Sequence, residues 1–239
     1  MTKSARSHEP SIWKIEGLIF DMDGVITDTM PDHFRSWHKV LGEAGLRVSR
    51  HDIYKREGQR GIQSIREFFA EKQVRISQSR ARNLLRRKES LFKKSVRPRF
   101  IRGARRFLKR LHRQGIPLAL VTGTSRRETN QILPEPLRIL FAHIITGNDT
   151  RQGKPHPAPY RKALRLMRAQ ARNTAVIENA PLGIRSAKSA GCRCIALTSS
   201  LPTEYLHEAD RIFDSFSTLT RRICFEHHAA QARTNHEKS

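Results

Sequence analysis

The chain has 239 residues, 37% of them apolar and 28% charged, and its 46 Lys and Arg against 22 Asp and Glu leave a formal charge of +24. That length suits one moderate domain, or a core carrying a smaller inserted unit, and can bury a core without a disulfide or metal staple. No apolar run approaches the roughly 20 residues of a membrane-spanning helix, the polar first ten residues lack a secretory segment, and three cysteines give no even disulfide framework; a cytoplasmic protein is expected.

Residues 15–20 (IEGLIF) read as a buried strand. Residues 116–121 (IPLALV), 142–145 (AHII), 174–177 (TAVI) and 194–197 (CIAL) read the same way, being short and apolar. After the first of these the rhythm breaks. Residues 30–95 offer no strand, only helical spacings: Phe34, Trp37, Val40 and Leu41; Ile62, Ile65, Phe68 and Phe69; Leu84, Leu85, Leu91 and Phe92. Structureless connections beyond about 15 residues are uncommon, so this segment is expected to be a helical insertion with its own small core. Residues 102–113, 158–169 and 181–190 are amphipathic helices on pattern, the last with Pro181 at its start and Gly191 at its stop. The arginines of 102–113 are expected on the solvated face. Strand, helix, strand in this order predicts a parallel α/β sheet. The division expected is core 1–28, helical insertion 29–97, core 98–226, and a polar, disordered tail 227–239. Cys192 and Cys194 lack a second pair to complete a zinc site and read as small residues of a buried strand.

Ligands of open parallel sheets bind beyond the carboxyl ends of the strands. The residues just past each strand therefore carry the most information: Asp21-Met22-Asp23-Gly24-Val25-Ile26-Thr27-Asp28-Thr29 after the first, Thr122-Gly123-Thr124 after the second, Gly153-Lys154-Pro155 past the third, and Glu178-Asn179-Ala180-Pro181-Leu182-Gly183 after the fourth. Two carboxylates at i and i+2 leaving a buried strand call for a compensating cation. Mg²⁺ takes hard oxygens, one or two carboxylates among them, and leaves room for a phosphate. Asp21, Glu178 and the Asn179 amide oxygen are candidate ligands. Lys154 adds a positive charge for an anionic substrate, and Thr122 with neighbouring backbone N–H groups, at Gly24, Gly123 and Thr124, can meet phosphate oxygens. A carboxylate can attack phosphorus, and a second acid can move the protons.

These four motifs, in order across residues 15–198, resemble the haloacid dehalogenase-like superfamily, and within it the branch of β-phosphoglucomutase and sugar-phosphate phosphatases. The resemblance implies a Rossmann-like core with a mobile helical cap. It implies Asp21 as nucleophile and Mg²⁺ ligand, and Asp23 as general acid/base with its backbone carbonyl on the metal. Thr122 and Lys154 take the other catalytic places, and Glu178 and Asn179 complete the metal site. Asn179 stands where many relatives have Asp, which removes one negative charge. By position in the cap, Thr29, His33, Arg60 and Lys88 are candidate substrate contacts. Several candidates have plainer alternatives: His33 as a packed histidine, Arg60 and Lys88 as solvated charges, Thr122 as a helix cap.

The leading function is a Mg²⁺-dependent phosphatase of a small phosphorylated metabolite, a sugar phosphate in particular, acting through an aspartyl-phosphate. A phosphomutase is the runner-up. The +24 invites a non-specific polyanion partner, but aromatics are only 7% and no nucleic-acid motif appears, so no specific nucleic-acid partner is expected. Neither is a membrane. An acidic site within a basic molecule fits capture of phosphorylated anions.

Overall fold

The computed structural model describes residues 9–97 and 99–228. Its centre is a six-stranded, all-parallel sheet in the order β4-β3-β2-β5-β6-β7. The strands are β2 (Gly17–Phe20), β3 (Leu118–Val121), β4 (His143–Ile145), β5 (Thr174–Glu178), β6 (Arg193–Leu197) and β7 (Arg211–Phe213). A separate parallel pair joins β1 (Ser11–Ile15) to β8 (Ile223–His227).

The central strands are buried on both faces, which is why they read as continuous apolar runs rather than alternations. Leu18 and Phe20 of β2 point to one face, where α5 (Ala104–Arg113) and α10 (Phe216–Arg222) cover them with Phe107, Leu108, Leu111 and Phe216. Phe20 meets Phe107 edge-on at 6.1 Å. Short helices α6 (Arg126–Ile132) and α7 (Glu135–Arg138) add Ile132 and Leu137 to that side. Ile19 faces the other way, toward α8 (Ala158–Met167) and α9 (Pro181–Ser189), with Tyr160, Leu164 and Ile184. Arg105 and Arg106 are exposed, as the solvated-face reading of α5 requires.

The strand expected at 15–20 is two strands. Glu16 breaks it: its carboxylate accepts from the Gln170 N–H at 2.6 Å and the Asn173 amide at 2.8 Å. The preceding β1 is not among the expected strands. Its buried Trp13 and Ile15 alternate with exposed Ile12 and Lys14, the pattern of a half-buried strand. Its partner β8, with β7 and α10, is likewise unexpected, each being too short to show a period. The tail expected from 227 begins inside β8, since His227 pairs with Ile15, and from 229 it lies outside the described residues.

Between β2 and β3 the chain forms α1 (Met30–Glu43), α2 (Arg50–Tyr54), α3 (Gly61–Glu71) and α4 (Gln78–Ser95). Ser49 and Asp52 cap α2 reciprocally and Ser77 caps α4, satisfying first-turn N–H groups. Trp37, Leu41, Ile65, Phe68, Phe69 and Leu84 bury one another inside the insert. The linkers into and out of it run side by side: Asp28 N–H donates to Arg99 C=O at 3.0 Å, and Ile101 N–H to Ile26 C=O at 3.0 Å.

Candidate active site

The chain leaves β2 first toward β3 and later toward β5 on the opposite side, so the carboxyl end of β2 is the switch point where a crevice forms. Asp21 stands there. The Asp21 N–H donates to Ile177 C=O at 3.0 Å, extending the pairing with β5 and setting Asp21 beside Glu178.

Lys154 is 1% exposed and reaches the strand ends from the loop after β4. Its Nζ donates to Asp21 Oδ1 at 2.5 Å, to Glu178 Oε1 at 2.6 Å and to Val121 C=O at 3.2 Å. All three positions of the ammonium are thus used. Burial drives the Asp21 carboxyl well above its ordinary pKa despite the pull of Lys154, and Glu178 and Asp23 push the same way. For Lys154 the two carboxylates outweigh burial and raise its pKa.

Asp23 is fully buried. Its Oδ1 accepts from Thr29 Oγ1 and lies 3.4 Å from His33 Nε2. Its Oδ2 accepts from Thr124 Oγ1 at 2.8 Å, with Thr122 Oγ1 at 3.4 Å. Burial would raise its pKa, but the nearby His33 and the hydroxyl bonds from Thr29 and Thr124 outweigh burial and hold it at about 2. Two carboxylates two residues apart are therefore pushed in opposite directions by their surroundings.

The insert contributes His33 and Lys88. Lys88 Nζ lies 3.0 Å from His33 Nδ1, the His33 ring stacks on Phe92 at 4.1 Å, and the ammonium sits over the Trp37 and Phe92 rings. An ammonium can only donate, so Nδ1 accepts and the ring proton is on Nε2, facing Asp23. The reading of Lys88 as a solvated charge is corrected: it is 6% exposed, on the inner face of α4. Arg60 is exposed at the start of α3, where its Nη1 donates to Arg151 C=O at 2.6 Å.

Other expected residues take different places. Gly24 is buried with φ +87°, and a Cβ there would come within 2.2 Å of Asn179 Nδ2. Its lack of a side chain lets Asn179 close on the first motif, and its N–H donates to Thr27 C=O at 2.7 Å. Thr122 does not cap a helix; Ser125 caps α6, and Thr122 Oγ1 accepts from the Thr124 N–H at 3.0 Å. Gly123 and Thr124 line a cavity between insert and core.

Two buried oxygens, Asp21 Oδ2 and Asn179 Oδ1, have no hydrogen-bond donor. Both lie at the adjoining ends of β2 and β5, and unpaired buried acceptors are costly unless a cation satisfies them. They fit Mg²⁺, with Asn179 Nδ2 anchored on Ser200 Oγ at 2.8 Å so that the oxygen is the atom left free. Glu178 is more fully bonded than these two. Its Oε1 accepts from both Lys154 and Tyr160 Oη, each at 2.6 Å, and its Oε2 from the Asn179 N–H at 3.0 Å. Both of its oxygens thus have protein donors, Lys154 and Tyr160 on one and the Asn179 N–H on the other.

Sequence reasoning misses Tyr160 and Glu57. On pattern Tyr160 is only an apolar helix position; its spacing six residues after Lys154 is the available signal. Glu57, between α2 and α3, brings a carboxylate oxygen within 4.8 Å of groups on Asp23 and His33. Only its place just before Gly58, in the loop that supplies Arg60, marks it. The cavity between insert and core, about 180 Å³, opens here and is lined by His33, Glu57, Arg60, Lys88, Thr124 and Asn148 among others.

Acids gathered at the switch point of a parallel sheet, beneath a helical insert, place the chain among the Rossmann-like α/β enzymes. Residues 18–197 match the family model described as Haloacid dehalogenase-like hydrolase. The chain belongs to that family of hydrolases, in its β-phosphoglucomutase-like branch. It is 29% identical over 213 residues to hexitol phosphatase A of Escherichia coli (strain K12), covering 87% of this chain and 94% of that one. It is 26% identical over 219 residues to the β-phosphoglucomutase of Bacillus subtilis (strain 168), covering 89% and 95%. The solved structure of CbbY from Rhodobacter sphaeroides in complex with phosphate matches with a TM-score of 0.72 at 26% identity, covering 86% and 96%. Among the described residues no helix is long and apolar enough to cross a membrane.

Proposed function

We propose that this protein is a Mg²⁺-dependent phosphatase of small phosphorylated metabolites, sugar or polyol phosphates above all. The observation that carries this most is the holding of Asp23. Core Thr124 takes one of its oxygens, while Thr29, at the entry to the insert, and His33 within it meet the other, so the group suited to move protons is set by both parts of the fold. That two phosphoryl-transfer enzymes of this branch match most of the chain supports the reaction class.

The Asp21 carboxylate attacks the phosphorus, and the P–O bond to the alcohol breaks. Asp23, protonated when the phosphate dianion binds beside it, delivers that proton to the departing oxygen. Asp23 then takes a proton from a water molecule, which attacks the aspartyl-phosphate, releasing phosphate and restoring Asp21. Mg²⁺ held by Asp21, the Asp23 carbonyl and Asn179 would neutralise charge on the transferring group. Lys154 keeps the nucleophile oriented and offsets the crowded negative charge, while Thr122 and the backbone N–H groups beyond β3 donate to phosphate oxygens. Glu178 holds Lys154.

The test is phosphate release from a panel of phosphorylated metabolites, with Asp21→Asn as the blank and EDTA as the metal control. Release that depends on Mg²⁺ and disappears in Asp21→Asn is expected; turnover by Asp21→Asn overturns the mechanism.

A further inference from the structure

The cavity above Asp23 is unlike the rest of the molecule in charge. The whole chain carries +24, yet the cavity lining sets Arg56, Arg60 and Lys88 against Glu57, Glu89 and Glu128, three against three. Its cations are also occupied. The Arg56 guanidinium, over the Phe68 ring, is paired with Glu71 and lies 3.5 Å from Glu67. Lys88 is committed to His33 and two aromatic faces. Only Arg60, at the exposed rim, has a guanidinium with a single backbone partner. Glu57 stands deepest among the acids, within 4.8 Å of groups on Asp23 and His33, and has no cation of its own within ion-pairing distance among the described residues.

A phosphate dianion placed deep in such a cavity would be stripped of water with only Arg60, at the rim, free to offset its charge, and would face the Glu57 carboxylate. Hydroxyl groups would instead find an acceptor there, and more at Ser64, Gln59 and Asn148. The cavity volume is about 180 Å³. It suits the tail of a small metabolite.

We infer that Glu57 is a specificity-determining residue: it makes the cavity accept the uncharged, hydroxyl-bearing tail of a monophosphate ester and reject a second phosphate on the same molecule. This rests on the phosphatase reading, with the reacting phosphate at Asp21. It also sets the chain apart from a phosphomutase, whose bisphosphorylated intermediate must be gripped at both ends.

The test compares fructose 1-phosphate with fructose 1,6-bisphosphate as competitive inhibitors of p-nitrophenyl phosphate hydrolysis, in the wild type, Glu57→Gln and Glu57→Lys. Either end of the bisphosphate places a phosphate monoester at Asp21, as the monophosphate does, and leaves the second phosphate in the cavity, so any effect of Glu57 on Asp23 largely divides out of the ratio of inhibition constants. The wild type should favour the monophosphate by about tenfold or more, a modest value for one unit charge near a dianion at intermediate dielectric. Glu57→Gln should bring the ratio toward one, and Glu57→Lys should invert it. A wild-type ratio near one, or a ratio unmoved in Glu57→Gln, overturns the inference; the wild-type ratio alone decides should neither variant fold. Failure of the folded wild type to hydrolyse p-nitrophenyl phosphate at all would instead remove the phosphatase reading, and this inference with it.

Discussion

Replacing Lys154 by Met keeps most of the side chain's volume and deletes its charge. The ammonium is 1% exposed and bonded to Asp21 and Glu178, themselves almost wholly buried. Removing one partner of a buried ion pair costs about 3–5 kcal/mol, because the other charge is left uncompensated. Here two carboxylates lose their cation. Tyr160 Oη still donates to Glu178 at 2.6 Å, so the larger defect falls on Asp21, whose Oδ2 already lacks a donor. The cost should therefore lie toward the upper end of that range, and at about 2–4 °C per kcal/mol for a chain of this size the melting temperature should fall by roughly 8–20 °C.

The pH dependence gives a sharper check. The folded pKa of Asp21 is already raised above its unfolded value by burial, and loss of Lys154 raises it further. A carboxyl with a raised folded pKa favours the folded state below its unfolded pKa and loses that contribution as pH rises through the folded one. The deficit of Lys154→Met should thus grow as pH rises and shrink toward acid. Urea unfolding in EDTA, measured for both proteins at several pH values, reads it directly. A deficit under about 1 kcal/mol, or one that does not change with pH, would refute the account of Lys154 as counter-ion to a buried acid pair.

Thr29→Val removes a donor to the buried Asp23 carboxylate, a bond to a charged group worth about 1.5–3 kcal/mol. Asp23 is held at about 2, so its contribution is present above the unfolded value near ~4 and lost as pH falls through the folded one; the variant's deficit should be clear at pH 7 and largely gone near pH 2 in urea unfolding. Asn179→Asp adds a second carboxylate to the metal site and keeps a bond to Ser200, which would then donate. Isothermal titration should show Mg²⁺ binding at least several-fold tighter than wild type, and no tightening would argue against Asn179 as a ligand. Burial pushes the Cys192 thiol up to about 12 and raises Cys194 too, so neither is a thiolate at neutral pH. Native iodoacetamide labelling followed by mass spectrometry should find only Cys224 modified, with all three modified after unfolding.

Much of the candidate site is legible in the chain because it is local. Asp21 and Asp23 lie two apart directly after an apolar run, and the other motifs also come after strands, so the rule that strand ends converge on one edge of a parallel sheet brings Asp21, Thr122, Lys154 and Glu178 together without coordinates. Period alone also shows where strands give way to helices over residues 30–95. The tertiary structure decides what depends on residues far apart. Lys88 is a buried partner of His33, 55 residues earlier, and nothing in its own helix marks it off from the arginines around it. Glu178 orients Lys154 because Tyr160 and Lys154 both converge on one of its oxygens, leaving Asp21 and Asn179 with the free ones. The near-neutral cavity arises because cations and acids from α3, α4 and the loops around them meet there, although the sequence as a whole is strongly basic. A motif fixes which group leaves a strand end; which partners satisfy that group, and which atom remains free for chemistry, is settled only when distant elements pack and each buried polar atom must find its match.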